Sequence, residues 1–184
     1  MQPLFVVNNY GQFNHLILRT LRDMDLGAVM VKNDTEPVKI EGGGRGLIIG
    51  GGPSMEVAGR SAEYLELGLP VLGICLGLQI IAVANGGSVR RGRAGGYGMV
   101  DIDISEHDEI LQGYPERIRV WASHADEVTD LPSDFTILAH SDICEIEAVA
   151  LKNSNIYGVQ WHPEVSHTEN GRLLFENFDR ICRN

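Results

Sequence analysis

The sequence predicts an α/β fold: a three-layer, open, mostly parallel sheet with helices on both faces and an antiparallel strand extension. The first half alternates short, wholly apolar runs with segments of helical period, the pattern of strands buried on both faces by crossover helices. From Val100 onward the period changes to two, which suits half-exposed antiparallel strands. With 184 residues, 43% hydrophobic and 22% charged, the chain is read as a single domain over residues 1–184 with a substantial core.

Leu4-Phe5-Val6-Val7 is the first buried strand. Asn14 to Met24 is a helix whose Ile17, Leu18, Leu21 and Met24 share one flank, with Asn14 as its expected N-cap and Gly27 as its stop. Ala28-Val29-Met30-Val31 and Leu47-Ile48-Ile49 are the next two strands, the latter running into Gly50-Gly51-Gly52-Pro53. Ser61 to Leu67 reads as a short helix ending at Gly68. Val71-Leu72-Gly73-Ile74 is a fourth strand, and Leu76 to Asn85 a helix stopped by Gly86-Gly87. Val100, Ile102 and Ile104 alternate with polar residues, as do Ile118 and Val120. Asn170 to Cys182 closes the chain as an amphipathic helix.

Composition excludes several functions. Lys plus Arg total 15 against 25 for Asp plus Glu, a net charge of -10, so a phosphate backbone is repelled and nucleic acid is not an expected partner. Three cysteines, Cys75, Cys144 and Cys182, make no disulfide framework and point to a reducing cytoplasmic compartment. No basic leader follows Met1. The apolar stretch from Leu69 to Ala84 falls short of the ~20 residues that span a bilayer. Metal and nucleotide signatures are missing: there is no C-x-x-C, no H-E-x-x-H, and neither glycine-rich phosphate motif.

The sharpest chemical signal is Gly73-Ile74-Cys75-Leu76-Gly77, between a buried strand and a helix. It is the nucleophile-elbow pattern with cysteine in place of serine. The helix N-terminus behind Cys75 favours a thiolate. A buried structural cysteine is the alternative that the pentapeptide alone leaves open. A cysteine nucleophile needs a base held by a third group. In Trp161-His162-Pro163-Glu164, residues 162 and 164 would share one side of an extended chain, so Glu164 can hold the imidazole of His162. Glycine N–H groups in the loop 50–53, at the carboxyl end of a parallel strand, can meet a developing oxyanion, with the Leu76 N–H as the second donor.

Three separated blocks, Gly51-Gly52-Pro53, Gly73 to Gln79 and Trp161 to Glu164, resemble those of class I glutamine amidotransferases in the same order. Ser123-His124-Ala125-Asp126-Glu127-Val128 and Glu164-Val165-Ser166-His167-Thr168 look most like the glutaminase part of GMP synthases. The resemblance implies Cys75 as nucleophile, His162 as base and Glu164 as the acid that orients it. It implies Gly52 and Leu76 as the oxyanion hole, and Gln79 with the backbone of Ser123, Ala125 and Asp126 as the holder of the glutamine's amino-acid end. It also implies L-glutamine as substrate and a separate ATP-pyrophosphatase subunit that receives ammonia and converts XMP to GMP. No cofactor is expected in this chain, ATP and magnesium belonging to that partner. Glutaminases of other synthases, γ-glutamyl hydrolases and a non-catalytic module on the same fold are the competing readings. Asn8 stands where relatives often carry Asp, Gly96 where an acidic residue is common, and Ala125 at a frequent glycine position. Residues 90–97, 123–128 and 165–170 are expected to be loops that meet the partner, with the stretch 92–98 mobile when unpaired.

Overall fold

Each apolar run of the first half forms a strand, and their register is parallel. The computed structural model describes residues 2–184, apart from the side chains of residues 93–95. Strands β1 (Leu4–Asn8), β2 (Ala28–Lys32), β3 (Gly46–Ile49) and β4 (Val71–Ile74) are followed by β5 (Ser88–Ile104), β6 (Arg117–Asp130), β7 (Phe135–Ser141), β8 (Ala148–Leu151) and β9 (Ile156–Val159). Helices are α1 (Asn14–Asp23), the single turn α2 (Pro37–Ile40), α3 (Leu76–Ala84) and α4 (Gly171–Ile181). The strands make one sheet in the order β2-β1-β3-β4-β9-β8-β7-β5-β6. β2 to β9 along that order are parallel. The remaining four, β8, β7, β5 and β6, pair antiparallel.

Strand alternation divides the core into two layers. Leu4, Val6, Ile48, Leu72 and Ile74 face α1 and α4, packing with Ile17, Leu21, Leu174 and Phe178. Phe5, Val7, Leu47, Ile49 and Val71 face the other way, against Leu78 and Ile81 of α3 and against Tyr64. Both sheet faces are therefore dry, which is why these strands are apolar throughout. β6 instead alternates exposed and buried residues, with Arg117 and Arg119 paired to Asp103 and Asp101 on its wet face. Among the described residues no helix is long and apolar enough to cross a membrane.

Several expectations change in detail. Asn14 is not a cap: Phe13 holds the N-cap position with no side-chain hydrogen bond, and Asn14 is the first helical residue. Gly27 does not stop α1 either. Asp25, at φ 56°, takes the left-handed position, and Leu26 N–H returns to Leu21 O at 2.9 Å. Aspartate tolerates this conformation better than most residues. The short helix before Gly68 is a 3₁₀ turn, Glu63–Leu67. Residues 90–97 and 123–128 are not loops. They belong to β5 and β6, which pair through Arg91↔Asp126 and Gly96↔His124 with a register shift between Arg91 and Gly96. Glycines at 92, 95, 96 and 98 mask the strand period, so composition reads as loop where ladder pairing decides. Expected mobility over 92–98 falls partly on residues 93–95, which lie outside the described side chains. Residues 165–170 do form a series of turns.

α3 packs so close to the sheet that Gly77 has no room for a side chain: a β-carbon there would stand 2.0 Å from Ile49 O. Gly77→Ala is therefore expected to destabilise the fold by about 1–3 kcal/mol, the usual range for overpacking. Gly27→Ala, with nothing within 4 Å of the added carbon, should stay within about 0.5 kcal/mol. Urea unfolding of the two variants measures the difference, and equal costs would refute the steric account.

Candidate active site

Carboxyl ends of β1, β3 and β4 open together on one edge of the sheet, where α/β folds collect ligands. Asn8, Gly50 and Cys75 stand at or just past these ends. β4 passes into α3 in a single residue. Cys75 carries φ 55° and ψ -105°, an outlier for a side-chain-bearing residue. Its N–H is tied to Val159 O of β9 at 2.8 Å, and the helix behind it begins at Leu76. Cys75 borders a cavity of about 370 Å³.

His162 reaches the same cavity from beyond β9. Its N–H donates to Trp121 O at 2.9 Å. Thr168 Oγ1 donates to His162 O at 2.7 Å and accepts from the Trp121 N–H at 2.9 Å. The backbone of His162 is thus clamped to β6. Its Nδ1 lies 2.7 Å from Glu164 Oε1, and the ring also hydrogen-bonds the Cys75 side chain. The His162–Glu164 pairing is as expected, but its geometry differs. Residues 162–165 form a turn closed by Val165 N–H to His162 O at 3.3 Å, not an extended run. Pro163 supports the turn rather than a strand.

Both members of the pair are buried, and Glu164 Oε2 has no partner among the described residues. Burial alone would drive the imidazole neutral. The Glu164 carboxylate and the hydrogen bonds to Cys75 and Glu164 outweigh it, and the His162 pKa is pushed up to about 10. His124 shows the opposite balance. Burial depresses its pKa, its bond to Asp126 O opposes this, and the charge on His162 depresses it further. Gly96 leaves the space that the His124 ring fills.

The remaining expected residues converge on the cavity. Gly52, Leu76, Gln79, Ser123, Ala125 and Asp126 all line it. A β-carbon on Gly52 would stand 2.4 Å from Asn9 O and 2.6 Å from Leu76 Cδ2, so only glycine fits beside the elbow. Gly52 N–H has no acceptor among the described residues. Leu76 N–H, first of its helix, has no intrahelical one. Gln79 Nε2 donates to Asp126 O at 2.8 Å, fixing β6 to α3. Two neighbours carry no motif signature. Gln160 Nε2 points at Cys75 Sγ, 3.5 Å away, and Phe13 packs its ring edge-on against His162 at 4.9 Å. Gln160 is one residue past β9, so only the fold shows that it lies beneath the elbow. Among the described residues no three His, Cys, Asp or Glu side chains gather to hold a metal. His167 stacks on Trp121 instead.

Comparison with known proteins identifies the family and the fold. The class-I glutamine amidotransferase family pattern matches residues 5–181. A glutamine-hydrolysing GMP synthase subunit of Methanoculleus marisnigri is 62% identical over 182 residues, covering 99% of each chain. Its namesake from Methanococcoides burtonii is 52% identical over 181 residues, covering 97% of this chain and 96% of that one. The crystal structure of a putative GMP synthase subunit from Thermoplasma acidophilum superposes with a TM-score of 0.95 at 35% identity, covering 100% of this chain and 94% of that one. A glutamine amidotransferase from Thermotoga maritima, at 19% identity and TM-score 0.76, shares the fold.

The buried pair has a consequence for stability. A histidine whose folded pKa is raised stabilises fully below its unfolded value near 6.5, and that contribution fades as pH climbs toward about 10. Glu164→Gln removes the raising carboxylate. Wild type is therefore expected to lose stability relative to Glu164→Gln between pH 6.5 and 10, with a slope of at most about 1.4 kcal/mol per pH unit. Urea unfolding across that window tests it. Parallel pH profiles would refute the charged pairing.

Proposed function

We propose, for a chain that belongs to the class I glutamine amidotransferase family, that it is the glutaminase subunit of a two-subunit GMP synthase. The observation that carries this reading is the juxtaposition of Cys75 and His162 at the cavity, with a fully buried Glu164 paired to the imidazole. The names of relatives at 52–62% identity over nearly the whole chain support the synthase assignment.

In the proposed reaction Cys75 Sγ attacks the side-chain carbonyl carbon of L-glutamine. Negative charge gathers on the carbonyl oxygen and is met by the N–H groups of Gly52 and Leu76. His162, held as imidazolium by Glu164, donates its proton to the amide nitrogen. The C–N bond breaks, ammonia leaves, and a glutamyl thioester remains on Cys75. His162, now neutral, takes a proton from water as its oxygen adds to the thioester carbon. The C–S bond then breaks, releasing glutamate and restoring Cys75. Gln79 and the backbone of Ser123, Ala125 and Asp126 hold the α-amino and carboxylate end of the substrate. This chain needs no cofactor. Its partner is an ATP-pyrophosphatase subunit that uses ATP and magnesium to activate XMP and accepts the ammonia to form GMP.

Glutamate release by the chain alone, with that partner, and with partner plus ATP and XMP tests the reading. GMP formation from XMP, ATP and glutamine is expected in the full mixture, and strong stimulation by the loaded partner. Full activity alone and indifference to partner and nucleotides would favour a γ-glutamyl hydrolase. Cys75→Ser is expected to abolish glutamine-dependent GMP formation, whereas Cys144→Ser should change it little. His162→Ala should lose nearly all activity and Glu164→Gln less, because Glu164 acts only through the imidazole. Retained turnover in Cys75→Ser would overturn the mechanism.

A further inference from the structure

Two donors, one just before α1 and one at its first residue, converge on one carbonyl. Gly51 O accepts the Gly11 N–H at 3.1 Å and Asn14 Nδ2 at 3.0 Å. Asn14 is 2% exposed. Its amide also donates to Asn8 Oδ1 at 2.9 Å, which receives the Tyr10 N–H at 2.9 Å. A buried amide is costly unless bonded, yet α1 uses none of it, since the helix starts without a side-chain cap. All of the side-chain donor capacity shown for Asn14 goes to Asn8 and to Gly51.

Gly51 O belongs to the peptide whose other end is the Gly52 N–H. A trans peptide is planar, so its C=O and N–H point opposite ways and turn together. This peptide lies between two glycines, whose torsions offer little resistance to such a turn. Its direction therefore comes from what holds the carbonyl. Anchoring Gly51 O on Gly11 and Asn14 turns the Gly52 N–H the opposite way, within a cavity wall that Gly11, Asn14, Gly52, Cys75 and Leu76 share.

We infer that Asn14 is a positioning residue for glutamine hydrolysis, acting with Gly11 to hold the Gly51–Gly52 peptide in the orientation that presents the Gly52 N–H to the oxyanion. This rests on the glutaminase reading above. It makes Asn14 important in the transition state, when charge reaches the carbonyl oxygen, and unimportant for ground-state binding.

The test uses the full chain in complex with its ATP-pyrophosphatase partner. Asn14→Leu keeps the approximate shape and removes the donor. Asn8 Oδ1 and Gly51 O then each retain one backbone partner, so the variant has reason to fold. Gly11→Ala disturbs the same peptide from the other side, because its β-carbon would stand 2.4 Å from Gly51 O. Two rates are read: glutamine turnover, and alkylation of Cys75 by iodoacetamide, which attacks a saturated carbon and builds no oxyanion. Removing an oxyanion donor costs about 10²–10³-fold in kcat, so a misdirected one should cost about tenfold to a hundredfold. KM should change little, and iodoacetamide should label Cys75 at the wild-type rate. Unchanged turnover in both variants, a fall in alkylation in step with turnover, or failure of both to fold would make Asn14 a structural residue and overturn the inference. A wild-type complex that releases no glutamate would instead overturn the glutaminase reading itself.

Discussion

One strained turn governs the rest of the site. A residue with a side chain held at φ 55° and ψ -105° costs about 1–3 kcal/mol and persists only where its surroundings over-determine it. Here they do. The Cys75 N–H is bonded to β9, β4 is zipped between β3 and β9, and residues Leu76 to Ala82 of α3 are buried. Gly77 lets the first turn of that helix press on Ile49 O. Relaxing Cys75 would lift α3 from the sheet and expose that buried face. Hydrophobic burial of a helix that is apolar almost all round therefore holds a thiol at the helix N-terminus, where the dipole favours negative charge.

Low dielectric then sorts the neighbouring groups. Glu164 is withdrawn from water with one oxygen unpartnered among the described residues, a state that only a close cation makes tolerable. His162 supplies the cation. His124, equally enclosed but facing a backbone carbonyl instead of a carboxylate, is held toward neutrality. Two histidines bordering one cavity are thus pushed in opposite directions because one has a carboxylate partner and the other does not. A proton donor is poised by Cys75 without a second positive charge being forced into the same small space.

The parallel half was legible because burial on both faces leaves an unambiguous signature, and the elbow because its two glycines are steric necessities. His162 and Glu164 were legible as a pair, although the supposed extended geometry is a turn, since adjacency in sequence limits them to a few conformations that all permit contact. Long β5 and the far end of β6 were hidden by glycine and charged residues whose strand state is decided by each other. Asn14 was misread for a related reason. An asparagine before an amphipathic stretch is a normal helix cap, and nothing local reveals that a carbonyl thirty-seven positions away in sequence accepts its amide. Gln160 was illegible because its role comes from β9 lying beside β4, a pairing with no local signal.

β6 joins these features. It is the outermost strand of the sheet, and an uncovered edge invites unwanted pairing. The segment carrying His162 and Glu164 covers part of it. Arg119 exchanges hydrogen bonds with Glu169, through its N–H to the carboxylate and its carbonyl from the Glu169 N–H. Trp121 does the same with His162 and Thr168. The bonds that protect the edge are thus the bonds that deliver the imidazole to Cys75. Outward-facing amides recur every second residue along a strand, so Ser123 is next in the row after Arg119 and Trp121. There the cover ends and the cavity begins. The substrate reading proposed above calls for such an edge, because a ligand with its own amino and carboxylate groups can pair with a bare strand edge as a peptide does. Glutamine has such groups at one end and an amide at the other.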